Sequence, residues 1–424
     1  MCLVALLAVS MTHRISAQTQ SVDVVIEEDG TKRHEVIDLP VSMTYPIDSL
    51  LSDWKIKNFV VVSGDECETS RENPTFSDSV YIDRLSRMPT VMEMPYNAIV
   101  RRFIDQYTGR LRNNVALMLS AANFYIPIFE EALDAYNLPL ELKYLPIIES
   151  ALNPSAVSRA GASGLWQFML RTGKVYGLES NSLVDERRDP IKATWAAAQY
   201  LKELYNIYKD WNLVIAAYNC GPGNVNKAIR RSGGKTDYWE IYNNLPRETR
   251  GYVPAFIAAN YVMTYYCDHN ICPLETNMPA DTDTLTITKR LHFEQVAELC
   301  GVDIEQLRSL NPQYRRNVIP GDQKPFTLRL PHTELCTFID KQDSIYAHRA
   351  DELFNRKRVE VANTPATGNK ATAGSGKLSY HKIKNGETLS TIAARYRVSV
   401  NDIKRWNGLR NNQIIAGKQL KIYK

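Results

Sequence analysis

Long hydrophobic runs are absent from this sequence of 424 residues. No stretch approaches the roughly 20 apolar residues that a membrane-spanning helix requires. The start of the chain has only a short apolar core, residues 3–9, followed by the small-residue stretch Ile15-Ser16-Ala17. This order is typical of a secretory signal peptide, although the usual basic residues before the core are missing. We therefore expect residues 1–17 to direct export, and Cys2 stands too early in the chain to be a lipid acceptor.

Cysteine is also scarce, with seven residues in the chain. They are too dispersed for a zinc site, and His269 alone is not a ligand set, so neither a metal nor another cofactor is expected. Cys267 and Cys272 flank a loop of four residues. They could pair in an oxidising compartment, or they could be two free thiols.

The chain has little net charge, +4, but the charge is unevenly distributed. Residues 377–424 contain eleven Lys or Arg and two Asp or Glu, a net charge of +9, which leaves −5 for the first 376 residues. A basic tail can bind nucleic acid or an anionic wall polymer. If the protein is exported, the wall polymer is the expected partner and nucleic acid is not.

Strand patterns are rare between about Pro95 and Cys272, where apolar residues recur at helical spacing. Residues 114–136 form one amphipathic stretch. Residues 141–151 form a second, in which Pro146 is expected to produce a kink. These patterns indicate an α-helical domain over residues 95–272, preceded by residues 18–94, whose role the sequence does not indicate.

Two further helices are predicted within this domain. Asp189 followed by Pro190 is typical of an N-cap and a first helical position. The helix that follows repeats apolar residues at spacings of three and four, which predicts that one face is buried: Ile191, Trp195, Ala198, Leu201, Tyr205 and Tyr208. Residues 247–266 predict another helix, with Pro254 inside it.

A short module occurs twice in the C-terminal part of the chain. Residues 285–331 and 379–424 each predict the order strand, helix, helix, strand, and each has an asparagine after the second helix, Asn311 or Asn407. Each also has a glycine before the last strand, Gly321 or Gly417. Residues 361–377 between the modules are rich in small and polar residues, which is typical of a flexible linker.

The stretch ESALNPSAVSRAGASGLWQFM, residues 149–169, raises a chemical question. Glu149 lies in the last turn of a predicted apolar helix, where both the helix end and the apolar neighbours disfavour a charged carboxylate. Both effects raise its pKa, as a general acid near neutral pH requires. Gly161 and Gly164 allow a tight loop that another backbone or a ligand can approach closely, and Ser163 and Gln167 can donate hydrogen bonds there.

A second polar group follows on the next predicted helices. Tyr218 and Asn219 end an apolar helix directly before Gly221-Pro222-Gly223, and they could face an open site. Each of these residues also has an ordinary structural interpretation, such as a helix cap, a turn or a buried tyrosine. The joint occurrence of the motifs is what indicates a site.

Four motifs in this order resemble the soluble-lytic-transglycosylase domain of glycoside hydrolase family 23: Glu149-Ser150, residues 161–169, Ala217-Tyr218-Asn219 with Gly221-Pro222-Gly223, and residues 248–253 (ETRGYV). The resemblance covers roughly residues 95–270. The two repeated modules resemble LysM modules, which bind glycans that contain N-acetylglucosamine. The fold class that this implies is a mainly α lysozyme-like catalytic domain with small α+β (βααβ) LysM modules.

The resemblance assigns roles to individual residues. It implies that Glu149 is the catalytic acid and base, and that the sugar is bound by Ser150, Ser163, Gln167, Tyr218, Asn219 and Tyr252. In the second LysM module it implies glycan contacts from Gly386, Glu387, Thr388, Leu389, Ile414 and Ile415. The first module has Lys289-Arg290-Leu291-His292 in place of the turn, which puts its sugar binding in doubt.

The implied function is cleavage of peptidoglycan glycan strands outside the cytoplasm, in the periplasm or at the outer membrane of a Gram-negative bacterium. Glycosidases that use water usually need two carboxylates, whereas here only Glu149 is placed for chemistry. A lytic transglycosylase needs one, because the C6 hydroxyl of N-acetylmuramic acid is its nucleophile. Two alternatives are a goose-type lysozyme, with Glu179, Asp185, Glu186 or Asp189 as base, and a non-catalytic wall-binding protein. Membrane association and oligomeric state remain open.

Overall fold

The computed structural model describes residues 20–28, 31–53, 60–61, 72–276, 279, 281–354, 378–384, 387–396, 398–407, 409, 414 and 417–423. The chain divides into two compact units, Met1–Ala350 and Asp351–Lys424. In the described ranges no helix has both the length and the apolar character to cross a bilayer. The predicted signal peptide, residues 1–17, and the predicted linker, residues 361–377, lie outside the described residues.

The first unit begins with short strands and continues as a series of helices. Strands β1 (Ser21–Glu28) and β2 (Thr31–Asp38) form an antiparallel hairpin, and β3 (Val60–Val61) pairs with β4 (Glu275–Thr276). The helices are α1 (Ile47–Asp53), α2 (Asp78–Arg87), α3 (Ala98–Thr108), α4 (Arg112–Ala135), α5 (Leu145–Ser150), α6 (Leu170–Val175), α7 (Pro190–Tyr208), α8 (Trp211–Cys220), α9 (Pro222–Arg231), α10 (Tyr238–Ile241), α11 (Arg247–Arg250) and α12 (Tyr252–Tyr265). The prediction of a helical region between Pro95 and Cys272 is confirmed.

Local sequence signals explain where several helices begin and end. Asp189 caps α7 as predicted, since its side chain accepts from the backbone N–H groups of Ile191 and Lys192, each at 3.0 Å. Such a cap stabilises a helix by about 1 kcal/mol. Gly221 ends α8 with a φ of 82°, which glycine adopts without strain.

Two helix predictions were wrong in detail. Pro146 does not kink a continuous helix, because a 3₁₀ turn (Leu140–Tyr144) precedes α5 and the proline lies in the first turn of α5, where no N–H is needed. The stretch 247–266 is two helices, broken at Gly251. A Cβ at Gly251 would lie 2.5 Å from the carbonyl oxygen of Asp38, so this position lies tightly against the N-terminal hairpin.

The buried face of α7 also differs from the predicted one. Ile191 and Trp195 are 36% and 37% exposed, whereas Ala198 and Leu201 are fully buried. Most of the buried face consists instead of small residues: Ala193, Thr194, Ala196 and Ala197. Small side chains let α7 pack closely on the long helix α4. The buried face of α7 is therefore determined by side-chain volume, which hydrophobic periodicity does not report.

The N-terminal segment, whose role was not predicted, packs against α5. Residues 22, 24 and 37 of the hairpin are buried in the same hydrophobic core as α3, α5 and α12. The hydroxyl of Ser42 donates to the carbonyl oxygen of Ile148, 2.6 Å away, in the last turn of α5. This segment therefore satisfies a helix-end carbonyl next to Glu149, a group that would otherwise need water.

The first repeated module follows in the same unit. Its strands are β5 (Thr282–Ile287), β6 (Arg290–His292), β7 (Val318–Pro320) and β8 (Phe326–Pro331); β5 pairs with β8, and β6 with β7. Helices α13 (Phe293–Cys300) and α14 (Ile304–Leu310) lie between β5 and β8, as predicted, whereas the inner strand pair of β6 and β7 was not predicted. Three helices that were not predicted follow: α15 (His332–Asp340), α16 (Gln342–Ala347) and α17 (Ala350–Leu353).

The second module has strands β9 (Leu378–Lys382) and β10 (Gln419–Tyr423), paired antiparallel, and helices α18 (Leu389–Tyr396) and α19 (Val400–Asn407). The asparagine of each module makes the same contacts. Asn311 donates to the carbonyls of Leu307 and Arg329 and accepts from the Arg329 N–H. Asn407 does the same with Ile403 and Lys421. The repeated asparagine thus joins the second helix to the last strand.

The cysteines do not follow the suggested pairing. Cys272 is disulfide-bonded, whereas Cys267 is a free thiol, so these two residues do not pair with each other. Spacing along the chain made Cys267 the nearest candidate, but a disulfide depends on the distance between two Cα atoms in the fold.

Candidate active site

Glu149 lies in the last turn of α5, as predicted, and the chain turns sharply after it. The next two residues, Ala151 and Leu152, both have left-handed φ values, 51° and 59°. A residue other than glycine adopts this conformation at a cost of about 1–2 kcal/mol. Both side chains are buried in the core, and their packing holds the turn that leads away from Glu149.

Tyr252, the first residue of α12, is the hydrogen-bond partner of Glu149. Its hydroxyl donates to Oε1 of the carboxyl group. Burial raises the pKa of Glu149 to about 8, and the bond from Tyr252 acts in the opposite direction. The pKa of Tyr252 is itself well above its usual value through burial and the neighbouring Glu149. At neutral pH, Glu149 is therefore mainly protonated, and Tyr252 is a neutral donor.

Tyr218 approaches the same carboxyl group from α8. Its hydroxyl donates to the carbonyl oxygen of Trp166, 2.8 Å away, and its ring lies 5.4 Å from that of Tyr200. Burial, and then the proximity of Glu149, raise the pKa of Tyr218. The structure thus brings together Glu149, Tyr218 and Tyr252, which are up to 103 residues apart in the chain.

The glycine-rich loop, residues 161–169, lies beside α5, since the hydroxyl of Ser150 donates to the carbonyl of Leu165. One of its glycines also packs tightly against backbone. A Cβ at Gly164 would lie 1.8 Å from the carbonyl oxygen of Arg187, and Gly164 has a φ of 86°. Gly161 has the same φ, but nothing lies within 4 Å of its Cβ position. The close approach predicted for this loop is therefore made by Gly164, and the neighbour is protein backbone.

Three of the polar residues assigned to sugar binding make contacts within the protein. Ser150 is fully buried and donates to the carbonyls of Pro146 and Leu165, which joins α5 to the loop. Ser163 is fully buried and accepts from Nε of Arg188 at 3.1 Å. Gln167 is half-buried and donates to the carbonyl of Gly164 at 2.8 Å. In this structure, these three side chains stabilise the conformation of the loop.

Asn219 is the exposed member of the assigned group. It lies next to the end of α8, and its Oδ1 accepts from the hydroxyl of Thr249, 2.9 Å away on α11. Asn219 therefore joins α8 to α11, the helix directly before Tyr252. This bond links α8, which supplies Tyr218, to the short helix that precedes α12 and Tyr252.

Sequence reasoning missed two arginines that support the loop. Nη1 of Arg187 donates to the carbonyls of Gly161 and Phe168, at 2.8 and 3.0 Å, and Arg188 contacts Ser163. Arg187 is buried. In the sequence it stands within Glu186-Arg187-Arg188-Asp189, a charge run that looks like an ordinary solvated face.

The four acids considered as a base for water all have other partners. Glu179 pairs with Lys324, and Asp185 pairs with Arg187 and Arg315. Glu186 pairs with Lys192, 2.6 Å away, and also accepts from the N–H of Glu179. Asp189 caps α7. Each of these carboxylates thus has a charged or backbone partner, whereas the hydrogen-bond partner of Glu149 is the neutral hydroxyl of Tyr252.

In the second module, the described residues assigned to glycan binding make contacts within the module, although Thr388 is exposed. Glu387 accepts from the Lys384 N–H and contacts His381 and Arg395, and these interactions lower its pKa to about 2. The N–H of Thr388 donates to the hydroxyl of Thr391 at the start of α18. Leu389 is buried in the module core, and Ile414 packs against it. Gly386 and Ile415 lie outside the described residues.

Over the part of the chain that the structure covers, no group of three or more His, Cys, Asp or Glu side chains could hold a metal ion.

Comparison with known proteins places these features in a family context. Residues 127–241 match the model of the transglycosylase SLT domain. Residues 281–347 match the LysM-like domain of lytic transglycosylase MltD, and residues 381–422 match the LysM domain. The matched segments contain Glu149, the loop, Tyr218 and both repeated modules.

Individual relatives agree with these matches. The membrane-bound lytic murein transglycosylase D of Escherichia coli K12 is 30% identical over 292 residues, which are 68% of this chain and 60% of the relative. The soluble lytic murein transglycosylase of the same organism is 33% identical over 124 residues, 28% of this chain and 19% of the relative. The chain thus spans about three fifths of the longer match.

Among solved structures, the 70 kDa soluble lytic transglycosylase of Escherichia coli is 28% identical, with a TM-score of 0.29, over 36% of this chain and 26% of that one. The predicted fold class, a mainly α lysozyme-like domain with small α+β modules, is confirmed by the matched domains. This chain therefore contains a transglycosylase SLT domain followed by two LysM-type domains, and it is a homologue of membrane-bound lytic murein transglycosylase D.

Proposed function

We propose that the protein is an exported lytic transglycosylase of peptidoglycan. It cleaves the β-1,4 bond between N-acetylmuramic acid and N-acetylglucosamine and leaves 1,6-anhydro-N-acetylmuramic acid ends. The observation that carries the proposal is Glu149 itself: a single carboxyl group with a pKa near 8, hydrogen-bonded to Tyr252 and close to Tyr218.

The reaction uses Glu149 twice. The protonated carboxyl first gives its proton to the glycosidic oxygen, and the bond from that oxygen to C1 of N-acetylmuramic acid breaks. The resulting carboxylate then takes the proton of the C6 hydroxyl of the same sugar, and O6 bonds to C1. The proton count of Glu149 is restored, the N-acetylglucosamine side leaves as an alcohol, and no water is consumed.

The hydrogen bond from Tyr252 determines which carboxyl oxygen of Glu149 carries the proton. Because its hydroxyl donates to Oε1, Oε1 acts as an acceptor, and the proton of the neutral acid belongs on Oε2. Oε2 is then the atom that faces the glycosidic oxygen. Once Glu149 has lost its proton, the bond from Tyr252 also stabilises the carboxylate.

An internal nucleophile fits a site with one reactive carboxyl group. A hydrolase needs a base or a nucleophile in addition to the acid, and the four candidate acids have structural partners instead. A C6 hydroxyl held near C1 has an effective molarity of roughly 10⁵–10⁸ M. That advantage makes a second carboxylate unnecessary.

The domain assignment follows from the same proposal. The catalytic domain is residues 95–272, the divergent LysM-like module is 285–331, and the LysM module that binds the wall is 379–424 after the linker. Residues 18–94 contain the hairpin and Ser42, which support α5. The disulfide at Cys272 supports export to an oxidising compartment such as the periplasm.

The test of the proposal is the product formed in oxygen-18 water. Purified peptidoglycan digested by the full chain should yield muropeptides that are lighter by one water and carry no label, as measured by mass spectrometry. Reducing ends that contain the heavy oxygen as the main product would establish a lysozyme-type hydrolase. Absence of any cleavage would point to a wall-binding protein without activity.

Deleting residues 362–424 should separate wall binding from catalysis. The second module belongs to its own compact unit, and a tethered module acts by raising the effective concentration of its partner. We expect binding to intact sacculi to weaken by about tenfold or more, while cleavage of short soluble glycans is unchanged. Co-sedimentation and a soluble-glycan assay measure the two effects, and equal sedimentation with and without the tail would contradict the prediction.

The pH dependence of cleavage should report the pKa of Glu149. The acid must be protonated, so kcat/KM should fall as the pH rises through about 8. Tyr252→Phe removes the bond that lowers this pKa, so the basic limb should move to higher pH and the maximal rate should drop about tenfold. The matched control is Tyr107→Phe, because the buried Tyr107 hydroxyl has no hydrogen-bond partner within the described residues. A Tyr252→Phe profile that overlays the wild-type one would contradict the assignment.

A further inference from the structure

The first repeated module is built around a residue of the catalytic domain. Val184, in the segment before α7, is fully buried. It belongs to the hydrophobic core of the module, together with Leu291, Phe293 and Ile319. Its backbone bridges to Tyr314. The N–H of Asp185 donates to the carbonyl of Gln313, and the N–H of Arg315 to that of Leu183, both at 2.8 Å. The module and the catalytic domain therefore share a core and a backbone pairing.

Charged contacts continue from this pairing to the catalytic loop. Arg315 of the module contacts Oδ2 of Asp185, which is fully buried. Asp185 in turn accepts from both Nε and Nη2 of Arg187, each at 2.9 Å. Nη1 of Arg187 donates to the carbonyls of Gly161 and Phe168, at the two ends of the loop. The path from the module to the loop is continuous and runs through three side chains.

The geometry of Arg187 depends on the charge of Asp185. A buried carboxylate is stable only with good partners, and removing one of them leaves charge that the interior solvates poorly. With Arg315 in place, Asp185 is shared between two guanidinium groups and holds Arg187 in a bidentate pair. Without Arg315, Asp185 needs water or a rearranged Arg187, and the loop carbonyls lose their common donor.

The second module lacks the residues that make this attachment. In the gap-free alignment that matches Asn311 to Asn407, residues 313–315 (Gln-Tyr-Arg) correspond to 409–411 (Leu-Arg-Asn). The first module also differs on its predicted sugar face, where Leu291 pairs with Ile319 and both are fully buried. The copy that departs from the sugar-binding pattern is thus the copy that carries an attachment to the catalytic domain.

We propose that the LysM-like module, residues 281–347, is a fixed part of the catalytic unit that positions the glycine-rich loop, and that Arg315 is the positioning residue, acting through Asp185 and Arg187. The proposal rests on the proposed function insofar as the loop borders the site of glycan cleavage. The side-chain partners of Arg315 are Ser180 and Asp185 rather than Glu149, Tyr218 or Tyr252, so the proposed effect on cleavage is indirect.

The experiment compares Arg315→Met, Arg315→Lys and Arg316→Met in the full chain. Arg316 is the matched control, since it is adjacent and exposed and has none of the contacts with Asp185. Hydrogen exchange is followed at the loop amides of residues 158, 163 and 164, which are bonded within the loop region. Cleavage of soluble glycan is measured in parallel as kcat and KM.

For Arg315→Met we expect loop amides that exchange about tenfold faster and a kcat about tenfold lower, with KM unchanged. Arg315→Lys should restore part of both, because it returns the positive charge, and Arg316→Met should match the wild type. Loop exchange in Arg315→Met equal to that of Arg316→Met would overturn the proposal. A rise in KM with unchanged exchange would overturn it too, because it would indicate a direct sugar contact.

Hydrogen exchange of the loop amides does not depend on glycan cleavage. It therefore tests the positioning role of Arg315 separately from the proposed function. If the wild-type protein yields no anhydro product but Arg315→Met still loosens the loop, the proposed function fails and the positioning role stands. If anhydro products form and the loop exchanges at the same rate in all variants, the function stands and the positioning role fails.

Discussion

Glu149→Gln is expected to lower peptidoglycan cleavage by about 10²–10⁴-fold, the usual effect of losing an essential acid and base. Glutamine keeps the size of the side chain and can still accept a hydrogen bond from Tyr252, but it has no proton to give to the glycosidic oxygen. Release of soluble muropeptides from purified sacculi measures the effect. Glu131→Gln, the same change at an exposed position on α4, is the control and should retain full activity.

The same variant should show that Glu149 costs stability. The pKa of Glu149 is raised in the folded state, so the unfolded chain binds fewer protons than the folded one between about pH 4.5 and 8. Stability of the wild type therefore falls with pH across that window, whereas Glu149→Gln lacks this contribution. Thermal melts of the wild type and of Glu149→Gln should therefore diverge as the pH is raised.

In the activity assay, a Glu149→Gln variant that keeps more than about a tenth of the wild-type cleavage rate would show that Glu149 is not the catalytic acid and base.

Gly164→Ala is expected to have the second largest effect, through the fold of the loop. The added Cβ would meet the carbonyl oxygen of Arg187 at 1.8 Å, and the φ of 86° is unfavourable for alanine. The atoms nearest to this Cβ position are backbone atoms of Arg187 and Arg188, so no flexible side chain can move aside to relieve the clash. Left-handed strain and overpacking together predict a loss of about 2–5 kcal/mol in the free energy of unfolding, with cleavage largely abolished.

Gly161→Ala is the matched comparison, because it has the same φ and an unobstructed Cβ position. It should lose only the conformational part, about 1–2 kcal/mol, and keep most of its activity. Chemical denaturation of both variants gives the two free energies. Equal losses in the two variants would show that the approach of Gly164 to Arg187 contributes nothing to stability.

Local signals in the sequence predicted the elements of this protein well. Long apolar periodicity located α4, Asp189 and Pro190 located the start of α7, and Gly221 located the end of α8. The repeated asparagines predicted the shared architecture of the two modules, and both make the same contacts. These features depend on residues that are close in the chain, so their physical causes are visible in a short window of sequence.

A short window of sequence was also enough to predict that Glu149 lies at a helix end and that its pKa is raised. Motif resemblance, rather than periodicity, assigned Tyr218 and Tyr252 to the same site as Glu149. The predicted single helix over residues 247–266 was wrong for a related reason. Gly251 breaks it where the N-terminal hairpin packs against the backbone, and no local pattern reports a contact with Asp38.

Tertiary structure alone decided how the site is held in place. Ser42 reaches Ile148 across 106 residues, and Arg315 reaches Asp185 across 130. The packed fold buries Asp185 and Arg187 as an ion pair, although in the sequence they belong to an ordinary charge run. It also leaves Cys267 as a free thiol, while Cys272 is disulfide-bonded. The energy of a charge or a polar group depends on what surrounds it in space. A linear sequence shows which groups are present, but only the packed fold shows which of them are desolvated and paired.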